Sequence, residues 1–279
     1  MTDEGERKRE ESLRVFSQAA STYDRVGPKT FSHFGQRLVD LAEIPSGAKV
    51  LDVATGRGAL LFPAAAKVGL TGHVTGIDFS PGMVHETAKD IESRNLRNAE
   101  IRQMDAEQMK FADGSFDWVL CGFALWMFAD PAGVLREFRC VLRGGGRVAL
   151  STWAADSPSL TWCHEVLRPF VYAPTAKDLP AKIDARFDTP LQIEFGLKQA
   201  GFKDIRITPE EKDFIYSDEE QYWMSLWSAG IRRQLEKLTP ASLEQAKVEV
   251  FRKLQTVRKP DGFHKVNRAL FAFATKPVS

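Results

Sequence analysis

The sequence predicts an α/β fold: a mostly parallel sheet of seven strands, with helices on both faces and a helical cap. Through residue 153, short apolar segments with a strand pattern alternate with segments that have a helical pattern. Parallel strands need long crossovers, which helices provide, so this alternation indicates a parallel sheet. The predicted strands are residues 48–54, 73–78, 99–104, 116–122, 146–153, 202–215 and 263–275.

Capping signals mark where several helices begin. Ser80, Asp130 and Thr189 are each followed by a proline, which combines a capping side chain with the residue favoured at the first helical position. Helical patterns also cover residues 12–44 and 218–258, whereas the first dozen residues are polar and are expected to form a frayed tail. Between the early strands, helices are predicted near residues 57–68, 81–94 and 131–142.

Composition limits the class of protein. The 279 residues include 38 basic and 37 acidic side chains, and this balance argues against a nucleic-acid groove or an anionic membrane surface as the partner. No apolar run reaches membrane-spanning length, and the charged N-terminus does not have the pattern of a signal peptide. Cys121, Cys140 and Cys163 lack metal-ligand spacing, so we expect reduced thiols, a cytoplasmic protein and no metal site.

The most informative stretch is VLDVATGRGAL, residues 50–60. It has the pattern of a buried strand that ends in a glycine loop and continues into a helix, with the carboxylate of Asp52 inside the strand. Gly56 and Gly58 allow a tight turn and a close approach of the backbone to a ligand. The next strand ends at Asp78, the position at which an open α/β sheet binds ribose hydroxyls. These features predict a nucleoside-containing cofactor.

The glycine loop lacks the third glycine of the dinucleotide pattern GxGxxG, because Leu61 takes that place. Asp-x-x-x-Gly-x-Gly, followed by an acid after strand two, instead resembles the first motif of class I S-adenosylmethionine-dependent methyltransferases. The following segments are similar, in the same order, to the ubiquinone and menaquinone biosynthesis branch of that family: GIDFSPGMV (76–84), MDAEQMKFADGSFDWVLCGFALW (104–126) and LRGGGRVALSTW (142–153). The resemblance implies a Rossmann-like sheet and S-adenosyl-L-methionine as the cofactor.

The resemblance also implies roles for residues at the ends of the strands. The glycine loop would lie against the methionine and ribose parts of the cofactor, Asp78 would bind the ribose diol, and Asp105 with the backbone of Ala106 would bind adenine. A cation beside a helix N-terminus is unfavourable, so Arg57 is expected to meet an anion of the cofactor or substrate, or to reach water. The expected cofactor-binding set is Tyr23, Asp52, Ala54, Thr55, Gly56, Arg57, Gly58, Asp78, Phe79, Ser80, Met83, Asp105, Ala106, Cys121 and Gly122.

The tryptophans are concentrated in one part of the chain. All six tryptophans lie between residues 118 and 227, which predicts either packing of the cap on the sheet or an aromatic pocket for an acceptor. The expected acceptor-binding residues are Phe123, Trp126, Trp153 and Trp162. His33 and His164 are the histidines placed where a catalytic general base would act, although a single histidine more often has a structural role.

The chain is expected to divide into six segments along this plan. They are an N-terminal helical lid (1–46), a cofactor-binding core (47–153), a cap insertion (154–200), core strand six (201–216), a helical cap (217–260) and core strand seven (261–279).

The predicted function is methyl transfer from S-adenosylmethionine to a small, aromatic or quinone- or polyketide-like acceptor, at carbon or oxygen. In-line displacement would depend mainly on positioning and desolvation. Two alternatives stay open: a cofactor-binding protein that transfers no methyl group and serves in regulation or as a scaffold, and an NAD-dependent oxidoreductase. The expected partner is the small acceptor, with no nucleic acid and no membrane insertion, bound to a monomer or homodimer.

Overall fold

A computed structural model describes residues 3–171 and 187–278. Its centre is one sheet in the strand order β3-β2-β1-β4-β5-β8-β6. Neighbouring strands among β1 to β5 are parallel, and β8 runs antiparallel between β5 and β6. The strands are β1 (Lys49–Val53), β2 (His73–Asp78), β3 (Ala99–Gln103), β4 (Phe116–Gly122), β5 (Leu142–Trp153), β6 (Lys203–Tyr216), β7 (Arg258–Lys259) and β8 (Gly262–Thr275).

The prediction of a mostly parallel sheet with helices is confirmed, but the described sheet has eight strands and not seven. The additional strand, β7, pairs with Phe263 and Gly262 at the beginning of β8. Two residues are too few to show the alternation that identifies a strand in a sequence. Strand β5 also begins at Leu142, before the predicted boundary, because Leu142 pairs with Phe116 on the far side of an irregularity in β4.

The predicted capping signals are confirmed. The Ser80 hydroxyl accepts a hydrogen bond from the Met83 amide at 3.2 Å, and the Asp130 carboxylate accepts one from the Gly133 amide at 2.9 Å. The helices of the described chain are α1 (Asp3–Ala19), α2 (Thr30–Ala42), α3 (Leu61–Val68), α4 (Pro81–Ser93), α5 (Pro131–Val141), α6 (Pro158–Val171), α7 (Pro190–Gln199), α8 (Glu219–Trp227), α9 (Arg232–Leu235) and α10 (Pro240–Leu254), with 3-10 turns at Leu125–Met127 and Gln255–Val257.

The N-terminal tail is helical from Asp3 onward, so the expectation of a frayed tail is wrong. Helix α1 packs closely on α4: a Cβ atom added to Gly82 would lie 2.6 Å from the Ser17 carbonyl oxygen. The hydroxyl groups of Ser17 and Ser80 share a hydrogen bond of 2.9 Å. Because Ser80 follows β2 directly, these contacts place α1 beside the edge of the sheet at which the parallel strands end.

Both faces of the sheet are covered. On one face, Phe34 and Leu38 of α2 pack with Phe271 of β8, and on the other, Val53 of β1 packs in a cluster with Phe138 of α5. Strands buried on both faces are apolar over nearly their whole length, which makes a carboxylate within such a strand conspicuous. None of the described helices combines the length and apolar character needed to cross a bilayer.

Candidate cofactor and acceptor site

The glycine loop follows β1 and has a backbone that favours glycine. Gly56 and Gly58 have φ values of +52° and +76°. A Cβ atom at Gly58 would lie 2.5 Å from the ring of Phe62, whereas one at Gly56 would meet nothing within 4 Å. Gly58 is therefore required by packing as well as by conformation, and Gly56 borders open space where a ligand could approach the backbone.

Two residues other than glycine also have left-handed backbones at this edge. Ala54 follows β1 and Phe123 follows β4, each with a φ of +54°. The two strands are neighbours, with Val53 paired to Cys121. Conformations of this kind cost free energy and persist where the surrounding structure fixes them, often at ligand sites. The two strained positions mark the same edge as the glycine loop.

Asp52 is fully buried in β1. One carboxylate oxygen accepts a hydrogen bond from the Thr55 hydroxyl at 2.5 Å, and the other has no partner among the described residues. Burial, together with the nearby charge of Asp78, raises the pKa of Asp52 to about 7. A buried carboxylate oxygen without a donor is costly, so this position suits a ligand that brings a cation or a hydrogen-bond donor. The orphaned oxygen therefore fits the cofactor expected from the sequence.

Asp78 lies at the end of β2 and holds the glycine loop. Its carboxylate accepts hydrogen bonds from the amides of Gly56 at 2.8 Å and Ser80 at 2.9 Å. Burial raises the pKa of Asp78 to about 6, against the opposing effect of these hydrogen bonds. A carboxylate has about four lone-pair positions, so acceptor capacity remains for a hydroxyl group of a ribose. Met83, on the next helix, is buried.

Asp105 is engaged by a residue that the sequence analysis missed. The guanidinium of Arg9, on α1, pairs with the Asp105 carboxylate and lies 4.4 Å over the ring of Phe79. Asp105 also accepts a hydrogen bond from the Glu107 amide at 3.0 Å, and Ala106 between them is buried. The structure thus brings Phe79 and Asp105 together at this edge of the sheet. Arg9 contacts both of them and so connects α1 to the edge. Arg9 was missed because it falls in the segment predicted to be frayed.

Arg57 is buried and does not reach water, contrary to one of the two expectations for it. Its guanidinium lies 2.6 Å from Asp90 and 3.7 Å from Glu86, both on α4, and it donates to the Ala20 carbonyl. The anion that it meets therefore belongs to the protein. Asp90 also pairs with Arg25 at 2.6 Å, so one carboxylate of α4 joins the glycine loop to the segment that follows α1.

Aromatic rings form a continuous group between the N-terminal segment and the ends of β4 and β5. Tyr23 stacks on Phe31 at 5.0 Å between ring centroids, and Phe31 lies 5.6 Å from Phe123. Phe123 in turn lies 4.2 Å from Trp153. Cys121 and Gly122 end β4 beside this group. Burial raises the pKa of the Cys121 thiol, which is consistent with an inert side chain.

The other two residues expected to bind the acceptor are placed differently. Trp126, in a 3-10 turn, is 46% exposed, so its ring is not enclosed in a pocket of the described chain. Trp162, on α6, lies 5.6 Å from Tyr222 and lines a cavity of about 630 Å³ between α6 and α10. This cavity is formed by helices of the cap and not by the glycine loop. The structure therefore groups Phe123 with Trp153 and separates both from Trp126.

Only one of the two histidine candidates can be placed by its side chain. His33 of α2 contacts the rings of Phe34 at 5.4 Å and Phe214 at 5.6 Å. Burial, together with the nearby charge of Lys212, lowers the pKa of His33, which favours the neutral imidazole. His164 belongs to α6, but its side chain lies outside what the structure describes. Among the described residues, no group of acids, histidines and cysteines could hold a metal ion.

The fold and this arrangement of glycines and carboxylates are those of the Rossmann-like class of proteins. The chain belongs to the methyltransferase-domain family, because a sequence model of that family matches residues 44–226. Nocamycin O-methyltransferase of Saccharothrix syringae is similar to it, with 33% identity over 251 residues that cover 86% of this chain and 89% of the relative. The resemblance to methyltransferases drawn from the motifs is thereby confirmed.

Two further comparisons agree with this family. Aklanonic acid methyltransferase DauC of Streptomyces sp. (strain C5) is 45% identical over 139 residues, which cover 50% of this chain and only 63% of DauC. The YcgJ protein of Bacillus subtilis is 18% identical, and the match covers 88% of this chain and 100% of YcgJ with a TM-score of 0.60. At that identity the structural similarity shows the fold alone.

Proposed function

We propose that this protein transfers a methyl group from S-adenosyl-L-methionine to a small acceptor with aromatic or polyketide-like rings, at oxygen or carbon. The observation that carries the proposal is the buried carboxylate oxygen of Asp52 that has no donor in the described chain, beside a glycine loop held by Asp78. In a member of the methyltransferase-domain family, that oxygen would accept a hydrogen bond from the positively charged amino acid end of the cofactor.

The assignment of individual residues extends this proposal. Asp78 would bind the ribose hydroxyls, and Phe79 with Asp105 would bind adenine once Arg9 moves. The backbone from Ala54 to Gly58 would lie against the methionine part, and Tyr23 would close over it. Met83, Cys121 and Gly122 would complete the surface by packing. Support comes from the convergence of these residues at one edge of the sheet.

The bound cofactor supplies a methyl group that is already activated on a sulfonium. The protein has to align the acceptor with that group and keep water away, and the rings of Phe31, Phe123 and Trp153 provide an apolar enclosure for this. A general base is needed only for an acceptor that begins protonated. His33, with its lowered pKa, would accept such a proton as the neutral imidazole.

Two relatives carry names that favour a small-molecule acceptor. One is a nocamycin O-methyltransferase and the other an aklanonic acid methyltransferase. By analogy, we place O-methylation first and C-methylation second. The six-segment division predicted from the sequence fits this proposal, with α1 and α2 as the lid and α6, α8 and α10 as parts of the cap. The three unpaired cysteines support a reducing compartment such as the cytoplasm, and a monomer or homodimer would suffice.

Calorimetric titration of the full chain with S-adenosylmethionine, S-adenosylhomocysteine and NAD tests the cofactor. We expect both sulfur compounds to bind and NAD to give no heat. Transfer of the labelled methyl group to a panel of phenolic, quinone-like and carboxylic acceptors then tests the reaction. Binding of NAD alone would support an oxidoreductase, and binding of the sulfur cofactors without transfer to any acceptor would support the non-enzymatic alternative.

A further inference from the structure

We propose that Lys265 and Asn267 form a subsite that binds an anionic oxygen of the acceptor, at a distance from the atom that is methylated. Both residues lie on β8, and side chains two residues apart on a strand point to the same face. That face continues through Ala269 and Phe271, which pack in the same cluster as Phe34 and Phe123. The subsite therefore extends the aromatic surface of the candidate acceptor site.

Two polar side chains stand next to each other on this largely apolar face. Lys265 is 4% exposed and Asn267 is 9% exposed. No salt bridge to Lys265 is found among the described residues, where the carboxylates near this face pair with other groups. An ammonium group on an apolar face is costly unless it is paired, so an anionic group of a ligand would be favoured here.

The surroundings of Lys265 stabilise its position but do not neutralise it. Its ammonium group lies 3.4 Å from the centre of the Trp162 ring and 5.5 Å from that of Tyr222. Burial lowers the pKa of Lys265 to about 7, and the nearby Cys163 thiol, itself kept neutral by burial, has only an opposing effect. No described carboxylate contributes to this shift.

The nearby charges also favour an anion. Lys212 of β6 pairs with Asn267 in the sheet register and is close enough to lower the pKa of His33. The acid in that group, Glu210, is already paired with Arg37 at 2.8 Å. By contrast, the cavity between α6 and α10 is bordered by three acids, Glu165, Glu244 and Glu249, against the single base Lys253, and this balance disfavours an anion. The anion is therefore expected on the β8 side of Trp162.

The position on the strand defines the kind of acceptor. Trp153 pairs with Ala269 in the antiparallel register of β5 and β8. Lys265 is four residues farther along β8, which corresponds to about 13 Å. An acceptor that reaches both places must be an extended molecule, with the methylated atom near Phe123 and an anionic carboxylate or phenolate oxygen at the far end.

The test measures binding, so it does not depend on turnover. The full chain is saturated with S-adenosylhomocysteine and titrated calorimetrically with 2-naphthoate and with its neutral analogue 2-naphthamide, at pH 6 where Lys265 is charged. We expect naphthoate to bind at least tenfold more tightly than naphthamide. Lys265→Met should abolish that preference, and Lys265→Arg should retain it. Lys203→Met serves as the matched control, because it removes an exposed lysine at the opposite end of β6, where Lys203 pairs with Thr275.

A second pair of probes separates the two sources of the anionic oxygen. A gain in affinity for 2,4-dinitrophenol, which is ionised at pH 6, over neutral 2,4-dinitroanisole that Lys265→Met removes would assign a phenolate oxygen, and a gain for naphthoate alone would assign a carboxylate. Equal binding of charged and neutral probes to the wild type, or a preference that persists in Lys265→Met, would overturn the proposal. The inference rests on the proposed function for the placement of the acceptor, and binding of S-adenosylhomocysteine, measured in the same samples, shows separately whether that function has failed.

Discussion

Asp78 lies close enough to Asp52 for its negative charge to raise the pKa of the Asp52 carboxyl, in addition to the larger effect of burial. The two residues belong to neighbouring strands, β1 and β2, and face the same edge of the sheet. Two carboxylates with pKa values of about 7 and about 6 hold protons at a pH where ordinary aspartates do not. We therefore expect the glycine loop between them to respond to pH and to bound cations.

We expect cofactor binding to release protons from this pair. A bound sulfonium and ammonium favour the ionised carboxylates, so the affinity for S-adenosylmethionine should rise between pH 5 and pH 8. Calorimetry in buffers of different ionisation enthalpy measures the proton release directly. The Asp52→Asn variant should release fewer protons, and an unchanged release in this variant would show that Asp52 does not titrate on binding.

The same pair predicts how the free energy of unfolding of the ligand-free protein depends on pH. Both folded pKa values exceed the value of about 3.9 for an unfolded aspartate, so the folded state holds more protons. Their contribution to stability is complete below about pH 4 and is lost as the pH rises through 6 and 7. Denaturant unfolding of wild type and Asp52→Asn should therefore diverge in favour of the variant as the pH rises from 4 to 8.

Asp78→Asn should weaken cofactor binding by roughly 1.5–3 kcal/mol, the usual contribution of hydrogen bonds to a charged group. The variant loses the charge that attracts the ribose hydroxyls, and it loses one of the two oxygens that accept from the amides of Gly56 and Ser80. Glu92→Gln, on the exposed surface of α4, is the control and should bind normally. Unchanged affinity in Asp78→Asn would place the ribose elsewhere.

Arg9→Ala should increase the affinity for S-adenosylmethionine by severalfold. Arg9 engages both Asp105 and Phe79, the two residues proposed to hold adenine, so the nucleoside has to displace it. Arg14→Ala loosens the same helix by removing its pair with Glu236 but leaves Asp105 engaged, and should not gain affinity. Weaker binding in Arg9→Ala would instead mean that Arg9 remains in place and contacts the cofactor.

Trp153→Leu and Trp126→Leu form a matched pair for the acceptor site. Trp153 packs on Phe123, whereas Trp126 is largely exposed. Once an acceptor has been found, Trp153→Leu should raise its KM or lower kcat by tenfold or more, with little change in cofactor affinity. Trp126→Leu should have a much smaller effect, and the opposite order would move the acceptor toward the 3-10 turn.

Lys265→Met should stabilise the protein against unfolding, because it removes a buried cation for which no salt bridge is found among the described residues. The folded pKa of about 7 lies below the value of about 10.4 for an unfolded lysine. The cost of burying this charge is therefore complete below pH 7 and declines as the pH rises toward 10. The difference in the free energy of unfolding between variant and wild type should be largest at pH 6, and a destabilised variant would indicate that Lys265 serves packing.

Local patterns were sufficient to predict the sheet, the caps and the residues of the glycine loop. Asp52, Gly56 and Asp78 stand at positions where a short stretch of sequence fixes both the element and its end. Pairs between distant residues were not predictable in this way. Arg9 meets Asp105 across 96 residues of sequence, and the polar residues at the beginning of α1 give no sign of the elements that the helix contacts.

The positions of the aromatic side chains were also not predictable from local sequence patterns. Residue type placed Trp126 and Trp153 in one predicted pocket, but only the order of the strands decides which ring faces the lid. The neighbourhood of Lys265 depends on β8 entering the sheet between β5 and β6, and no single segment of the sequence reports that register.

The buried guanidinium of Arg57 connects the glycine loop to the N-terminal segment. Ala20, which accepts its hydrogen bond, and Arg25, which shares Asp90, both belong to the segment proposed as the lid. Opening of that segment would leave a buried cation with fewer acceptors, and this penalty would slow the departure of a ligand held by the loop. We therefore expect S-adenosylhomocysteine to have a long residence time, so that opening of the lid, and not the chemical step, limits the rate of turnover.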